Sequence, residues 1–384
     1  MTVRRVLALL AVAALATFAP ASALPEAAPR ITVMGVPDPG IQPQAVSDPS
    51  GTVHLLFFKG EPAHGDLFYA RLSRAATSFG PAVRVNSDAG SAIATGSVRG
   101  GRIAVGRNGW IHVVWNGSTP VERGGGKDNP MWYARISPSG VVEPQRAIGT
   151  HTRHLDGGGS VSADVKGNVA VVWHAAGDTD GEEHRRIYVA RSADDGARFA
   201  PESSFGMEGG NCGCCRIDSL LDSQGRLQIL YRRASGGVHR DAAWITVEAG
   251  KATTPTTLQA WELPACPMTT FAMAESKQGL VAAWETAQQI YTAAIDPSTR
   301  QLSPPTTMQG AAIRKHPAIA INAAGDRLYA WTEGTAWARG GALAWELRAA
   351  DGRRLSSAAN AGAVPVWGLV TAVARPDGSF LILH

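Results

Sequence analysis

Seven glycines recur along this chain of 384 residues at nearly equal intervals: Gly51, Gly109, Gly167, Gly225, Gly279, Gly325 and Gly378. Successive separations are 58, 58, 58, 54, 46 and 53 residues. Each glycine opens an apolar run that ends in a ring. Six residues on stand Phe57, Trp115, Trp173, Tyr231 and Trp331; five residues after Gly279 stands Trp284. The seventh run ends the chain at His384. A period of this size means one supersecondary unit used repeatedly. Function must then come from the places where the copies differ.

The third copy can be read strand by strand. Residues 160–164 alternate, residues 165–167 turn, and residues 168–173 form an apolar strand. A polar loop leads to a third strand at 187–191, and residues 192–199 turn the chain into a fourth. The segments 68–71 and 132–135 repeat the third strand. Four short antiparallel strands per copy, closed radially, make an all-β propeller. Seven hairpins predict seven blades; six stays open if one shorter late copy is something else. The last hairpin supplies only two strands. The segment Arg30 to Val36 reads as a free strand that completes that blade and locks the ring.

The turn Ser192-Ala-Asp194-Asp-Gly196-Ala-Arg-Phe199 has the spacing S-x-D-x-G-x-x-F. It resembles the Asp-box, or BNR repeat, of the sialidase superfamily. There the box lies between the third and fourth strands, away from the active face, so it speaks for fold rather than catalysis.

Arg4 and Arg5, the apolar stretch from Val6 to Phe18, and Ala21-Ser22-Ala23 read as a signal peptide over 1–23. Export to the periplasm or the extracellular space is expected, with one propeller domain over 24–384 and no transmembrane anchor after cleavage. The formal charge of +4 falls to +2 without Arg4 and Arg5. No basic run stands out, so nucleic acid is not an expected partner. Four Cys are too few for a disulfide scaffold in a chain this long, and apolar burial must hold the core.

In a propeller the loops before first strands and after second strands open on one face around the channel mouth, the default ligand site. On this face fall Cys212, Cys214, Cys215, Cys266, Met268 and His316, together with His174, Arg216, Arg232, Arg240 and Asp241. The stretch 212–284 also resembles a subgroup of exported sialidase-like proteins that carry a C-x-C-C cluster, a Y-R-x-x-S segment ending in R-D, and a Trp leading to C-P. The matching residues are Cys212, Cys214 and Cys215; Tyr231, Arg232, Ser235, Arg240 and Asp241; and Trp261, Cys266 and Pro267. The resemblance points to a site more than to a reaction.

Three readings of the cysteines stand open. One is a disulfide tying blade four to Cys266 on blade five, which suits an oxidising compartment. The second is a soft-metal site of thiolates with Met268 or His316, favouring Cu(I) or zinc. The third is a redox centre at Cys214-Cys215. Arg216, Arg232 and Arg240, with Asp241 and His174 beside them, read as a site for a carboxylate or sulfate, because guanidinium forks suit such groups. The functional expectation is a propeller that binds an anionic or glycan ligand at the channel mouth. One alternative is an exo-acting glycoside hydrolase of sialidase type; another is a copper or redox protein of the cell envelope. Sialidase chemistry needs an activated Tyr, yet all six Tyr fall inside strand patterns and the family's F-R-I-P sequence is absent. No catalytic residue is assigned.

Overall fold

In the computed structural model, residues 29–117, 130–206, 209–308 and 310–384 are described. The leader read over 1–23 lies outside them. The seven repeat glycines all adopt left-handed backbone, with φ between 80° and 118°. A side chain is disfavoured there, so Gly is the residue that lets each first strand turn back into the second. This turn, repeated, is the local reason for the hairpin series.

Seven separate sheets result. Their first strands are Ile41–Ser47, Arg102–Val105, Ser160–Ala163, Asp218–Leu221, Phe271–Ser276, Arg314–Ile321 and Thr371–Ala374. Each first strand packs beside those of the neighbouring blades, and the last packs beside the first, so the ring has seven blades and not six. The second strands are the apolar runs seen in the sequence. Trp115, Trp173, Tyr231 and Trp284 are fully buried between adjacent sheets, which explains why a large ring recurs at one position of the unit.

Closure follows the expected scheme. Ile31–Met34 pairs parallel with Phe380–Leu383, in the register Ile31 with Phe380 through Met34 with Leu383. This third strand of blade seven comes from the opposite end of the chain. Its residues Ile31 and Val33 pack towards blade six, and Met34 and Val36 towards blade one.

The Asp-box sits between the third and fourth strands of blade three. Ser192 Oγ donates to Asp194, and Gly196 N–H and Arg198 N–H donate to Ser192 Oγ and Asp194 Oδ1 at 2.9 Å each. Phe199 meets the Tyr133 ring of blade two edge-on at 4.9 Å. A Cβ on Gly196 would collide with the Tyr133 hydroxyl, so the motif is a blade-to-blade fastener. Among the described residues, no helix is long and apolar enough to cross a membrane.

Candidate functional site

The first strands surround a channel cavity of about 310 Å³. An ion pair between Arg102 of blade two and Asp218 of blade four spans it. Burial raises the Asp218 carboxyl, and Arg102 and Arg216 pull it back.

The loop that precedes blade four folds under the channel mouth. Cys212, Cys214 and Cys215 are all buried, and their sulfurs lie within 4.8 Å of one another. Cys212 Sγ stands 3.3 Å from Cys215 Sγ and 3.5 Å from Cys214 Sγ. Thr269 donates to Cys215 Sγ from its Oγ1 at 3.3 Å and from its N–H at 3.5 Å. Burial alone would raise the Cys215 thiol. Hydrogen bonds with Cys212 and Cys214, the Arg232 charge and Thr269 outweigh it and bring Cys215 well below the usual thiol range. Cys214 moves the opposite way, raised by its contacts with Cys212 and Cys215 and by burial.

Cys266 does not join the three. It is exposed, and the expected approach of Cys266 to the blade-four cysteines is corrected accordingly. The two loops do open side by side, but Cys266 faces solvent while Pro267 beside it is buried. Met268, two residues on, is what packs against the triad. His316 is buried, and among the described residues its Nδ1 has no hydrogen-bond partner.

The anion site expected of Arg216, Arg232 and Arg240 is likewise corrected. All three are buried and already hold protein acceptors. Arg216 donates to the carbonyls of Val98 at 2.9 Å, Ser97 at 3.1 Å and Arg99 at 2.6 Å. Arg232 donates to the Arg240 carbonyl at 2.8 Å, the Glu285 carbonyl and Thr269 Oγ1. Arg240 donates to Glu182 at 2.9 Å and to the carbonyls of Ala265 and His239. Arg216 alone of the three borders the channel cavity. A guanidinium satisfied in this way has no free fork for a ligand.

These residues nevertheless converge on the cysteine loop itself. Cys212 N–H donates to the Arg232 carbonyl at 2.8 Å. Glu182, held by Arg240, accepts from Gly213 N–H at 3.0 Å. His174, expected as a ligand contact, is buried behind the loop and does not face the mouth. Its Nδ1 faces the Arg185 guanidinium at 2.9 Å, which can only donate. The ring proton is therefore on Nε2, which donates to the Cys215 carbonyl at 2.8 Å. Burial, with the Arg185 charge, brings His174 down to about 4, so it stays neutral. Asp241 accepts from Trp261 N–H at 3.0 Å and pairs with Arg233 at 4.0 Å. It buttresses the blade-four hairpin. Gly157 completes the frame: a Cβ there would stand 2.1 Å from the Cys215 carbonyl oxygen.

Glu285, missed in the sequence because it ends an ordinary apolar strand, sits below this frame. Burial pushes its carboxyl up to about 7, against the pull of Lys315 at 3.5 Å and of Arg232. A raised folded-state value means that Glu285 favours folding most below about pH 4.5 and loses that contribution as pH climbs through about 7. The Glu285→Gln variant is expected to gain stability relative to the parent between pH 5 and 8, by up to about 3 kcal/mol. Urea midpoints across that range check it; parallel curves for the two proteins would refute the assignment.

Above the triad lies a hollow of about 150 Å³, bordered by Gly96, Ser97, Met268, His316, Trp337 and Trp367 among others. The Trp337 and Trp367 rings meet edge-on, with centroids 4.7 Å apart. Trp337 is 61% exposed, an unusual position for so large an apolar ring. Four residues at this hollow that are not glycine hold left-handed backbone: Ser97, Met268, His316 and Trp367, with φ from 50° to 62°. Such strain persists only where the surroundings impose it, and it clusters at functional sites. Sequence reading passed over Trp337, although it follows a second strand and so falls on the same face as the cysteines.

No protein family's sequence profile matches the chain, and no curated protein matches it. Solved structures do. The Aleuria aurantia lectin N224Q mutant, in complex with Fucα1-6GlcNAc, aligns over 85% of this chain and 96% of its own, at 13% identity and TM-score 0.51. A further Aleuria aurantia lectin structure, described as a six-bladed propeller, aligns over 85% and 95%, at 12% identity and TM-score 0.52. The NanB sialidase from Streptococcus pneumoniae aligns over 82% of this chain and 69% of its own, at 8% identity and TM-score 0.55. At these identities the likeness is one of architecture. The cysteine loop, its arginine frame and the tryptophan hollow are therefore built on a seven-bladed β-propeller similar in architecture to those of these lectins and this sialidase.

Proposed function

We propose that this is an exported glycan-binding propeller that seats a saccharide ring on Trp337 and Trp367 at the channel mouth. The observation that carries the reading is the exposed Trp337 beside Trp367, over a hollow bordered by strained residues. A sugar ring offers an apolar C–H face and polar hydroxyl edges. An indole face suits the first. Lys315 and the polar backbone of the hollow suit the second, as in ligand sites with few polar groups on apolar walls. A neutral sugar fits better than an anionic one, because Arg216, Arg232 and Arg240 are satisfied by protein acceptors. The charge of Lys315 is likewise shared with Glu285 and the Pro267 carbonyl. Export rests on the leader pattern over 1–23.

Binding without hydrolysis is favoured by the tyrosines. Tyr69, Tyr133, Tyr188, Tyr231 and Tyr329 are buried, and Tyr291 stacks on Trp284 inside a blade. Burial raises Tyr133 and Tyr231, the reverse of what an activated nucleophile needs. A glycan array with the labelled mature chain tests the reading, with neutral, sialylated and sulfated glycans side by side. Retention of neutral glycans is expected, and Trp337→Ala is expected to weaken it about three- to tenfold. An empty array, or unchanged binding by the variant, would refute the platform. Release of free sugar would return the hydrolase reading.

A further inference from the structure

We propose that Cys212, Cys214 and Cys215 together bind one Cu(I) ion through their three sulfurs, with Met268 on its solvent side. This does not depend on the glycan reading.

The first argument is geometric. A metal with bonds of about 2.3 Å to sulfur holds its sulfurs about 3.8–4.0 Å apart. The sulfur contacts of 3.3 and 3.5 Å need open by about 0.3–0.7 Å. The three sulfurs are the whole donor cluster: no His, Asp or Glu of the described residues shares it. Structural zinc is almost always four-coordinate, whereas thiolate and thioether donors select Cu(I). Met268 packs on the triad and supplies the thioether.

The second argument is charge. Buried charges need partners. Asp156 pairs with Arg99, Glu182 with Arg240 and Glu285 with Lys315. Three buried guanidiniums remain, Arg185, Arg216 and Arg232; Arg216 is taken up by the carbonyls of Ser97, Val98 and Arg99, and the other two lie against the cysteine loop. Among the described residues none of the three has a carboxylate within ion-pair distance. Arg232 hydrogen-bonds Cys215, and Arg185 lies against Gly213, where a Cβ would be 3.5 Å from its Cζ. Three thiolates around one Cu(I) carry two negative charges, placed beside the Arg232 and Arg185 guanidiniums.

The third argument concerns the disulfide. Cys212 touches both other sulfurs, so one of the three must stay unpaired, and Cys266 stands apart in solvent. That leaves Cys266 exposed and Met268 half-buried two residues on, above the buried triad. The chain thus presents soft donors in series from solvent inwards, a route by which Cu(I) can enter. Binding displaces the protons of those cysteines that are thiols into solvent, with no change of oxidation state.

The test uses the full mature chain, prepared without oxygen and titrated with Cu(I) against a competing chromophoric chelator. One equivalent is expected to bind more tightly than the chelator. Four thiols are expected to be alkylated after unfolding with the metal removed. Cys214→Ser is expected to lose more than about 100-fold in Cu(I) affinity, and Cys266→Ser to keep it within about threefold. If Cys214→Ser does not fold, the parent titration and thiol count still decide. Two alkylatable thiols, zinc retained against excess Cu(I), or four free thiols with no Cu(I) bound would each overturn the proposal.

Discussion

Arg232→Met is expected to destabilise the protein by about 3–5 kcal/mol, although methionine nearly matches the volume removed. The guanidinium is one of the largest fully buried groups in the molecule. It lies over the rings of Trp261 and Phe271, at 5.2 and 5.3 Å from their centroids. Its donors satisfy the carbonyls of Arg240 and Glu285 and the hydroxyl of Thr269. Methionine keeps the packing and leaves those acceptors bare, each costing about 1–3 kcal/mol when buried without a partner. Equilibrium denaturation of parent and variant measures the difference. A loss below about 1 kcal/mol would show that Arg232 is not the keystone of this frame, and would also remove a charge on which the Cu(I) argument relies.

Removal of residues 30–36 is expected to lower the melting temperature by about 10 °C and to cause aggregation. The segment forms one edge of blade seven. Val36 N–H donates to the His384 carbonyl, and Phe380 N–H to the Arg30 carbonyl, at 2.9 Å each. Ile31, Val33, Met34 and Val36 add half-buried apolar side chains, on the order of 1 kcal/mol apiece. At about 2 °C per kcal/mol for a large domain, their loss with the ladder accounts for the shift. The unpaired edge of Phe380–Leu383 then becomes a template for other chains. Scanning calorimetry and light scattering on chains beginning at 24 and at 37 make the comparison. Equal melting temperatures would mean that the ring holds without its lock.

Blade number, blade order and the closing strand could be read from the sequence because each depends on local chemistry. A glycine at left-handed φ, a two-residue alternation and a ring at a fixed offset act within one hairpin. Seven copies favour seven blades, and the packing of the last first strand beside the first removes the alternative of six. The Asp-box was legible for the same reason, since Ser192, Asp194 and Gly196 bond to one another across four residues. The sequence also placed the cysteines, Met268, His316 and the three arginines on one face, because strand order decides which loops open there.

The roles of those residues were decided only by the tertiary structure. Arg216 reaches carbonyls about 118 positions away, and Arg240 a carboxylate 58 positions away. Loop sequence carries no sign of whether a guanidinium will meet solvent or a distant carbonyl. So a rim expected to hold a ligand became the frame of the Cys212 loop, while Cys266, two residues from Met268, was left outside it. Trp337 and Trp367 come together from different blades, and neither belongs to the repeating unit. Periodic features are set by neighbours in sequence and survive one-dimensional reading. A site at the mouth of a ring is set by side chains from several blades, and only closure of the ring brings them together.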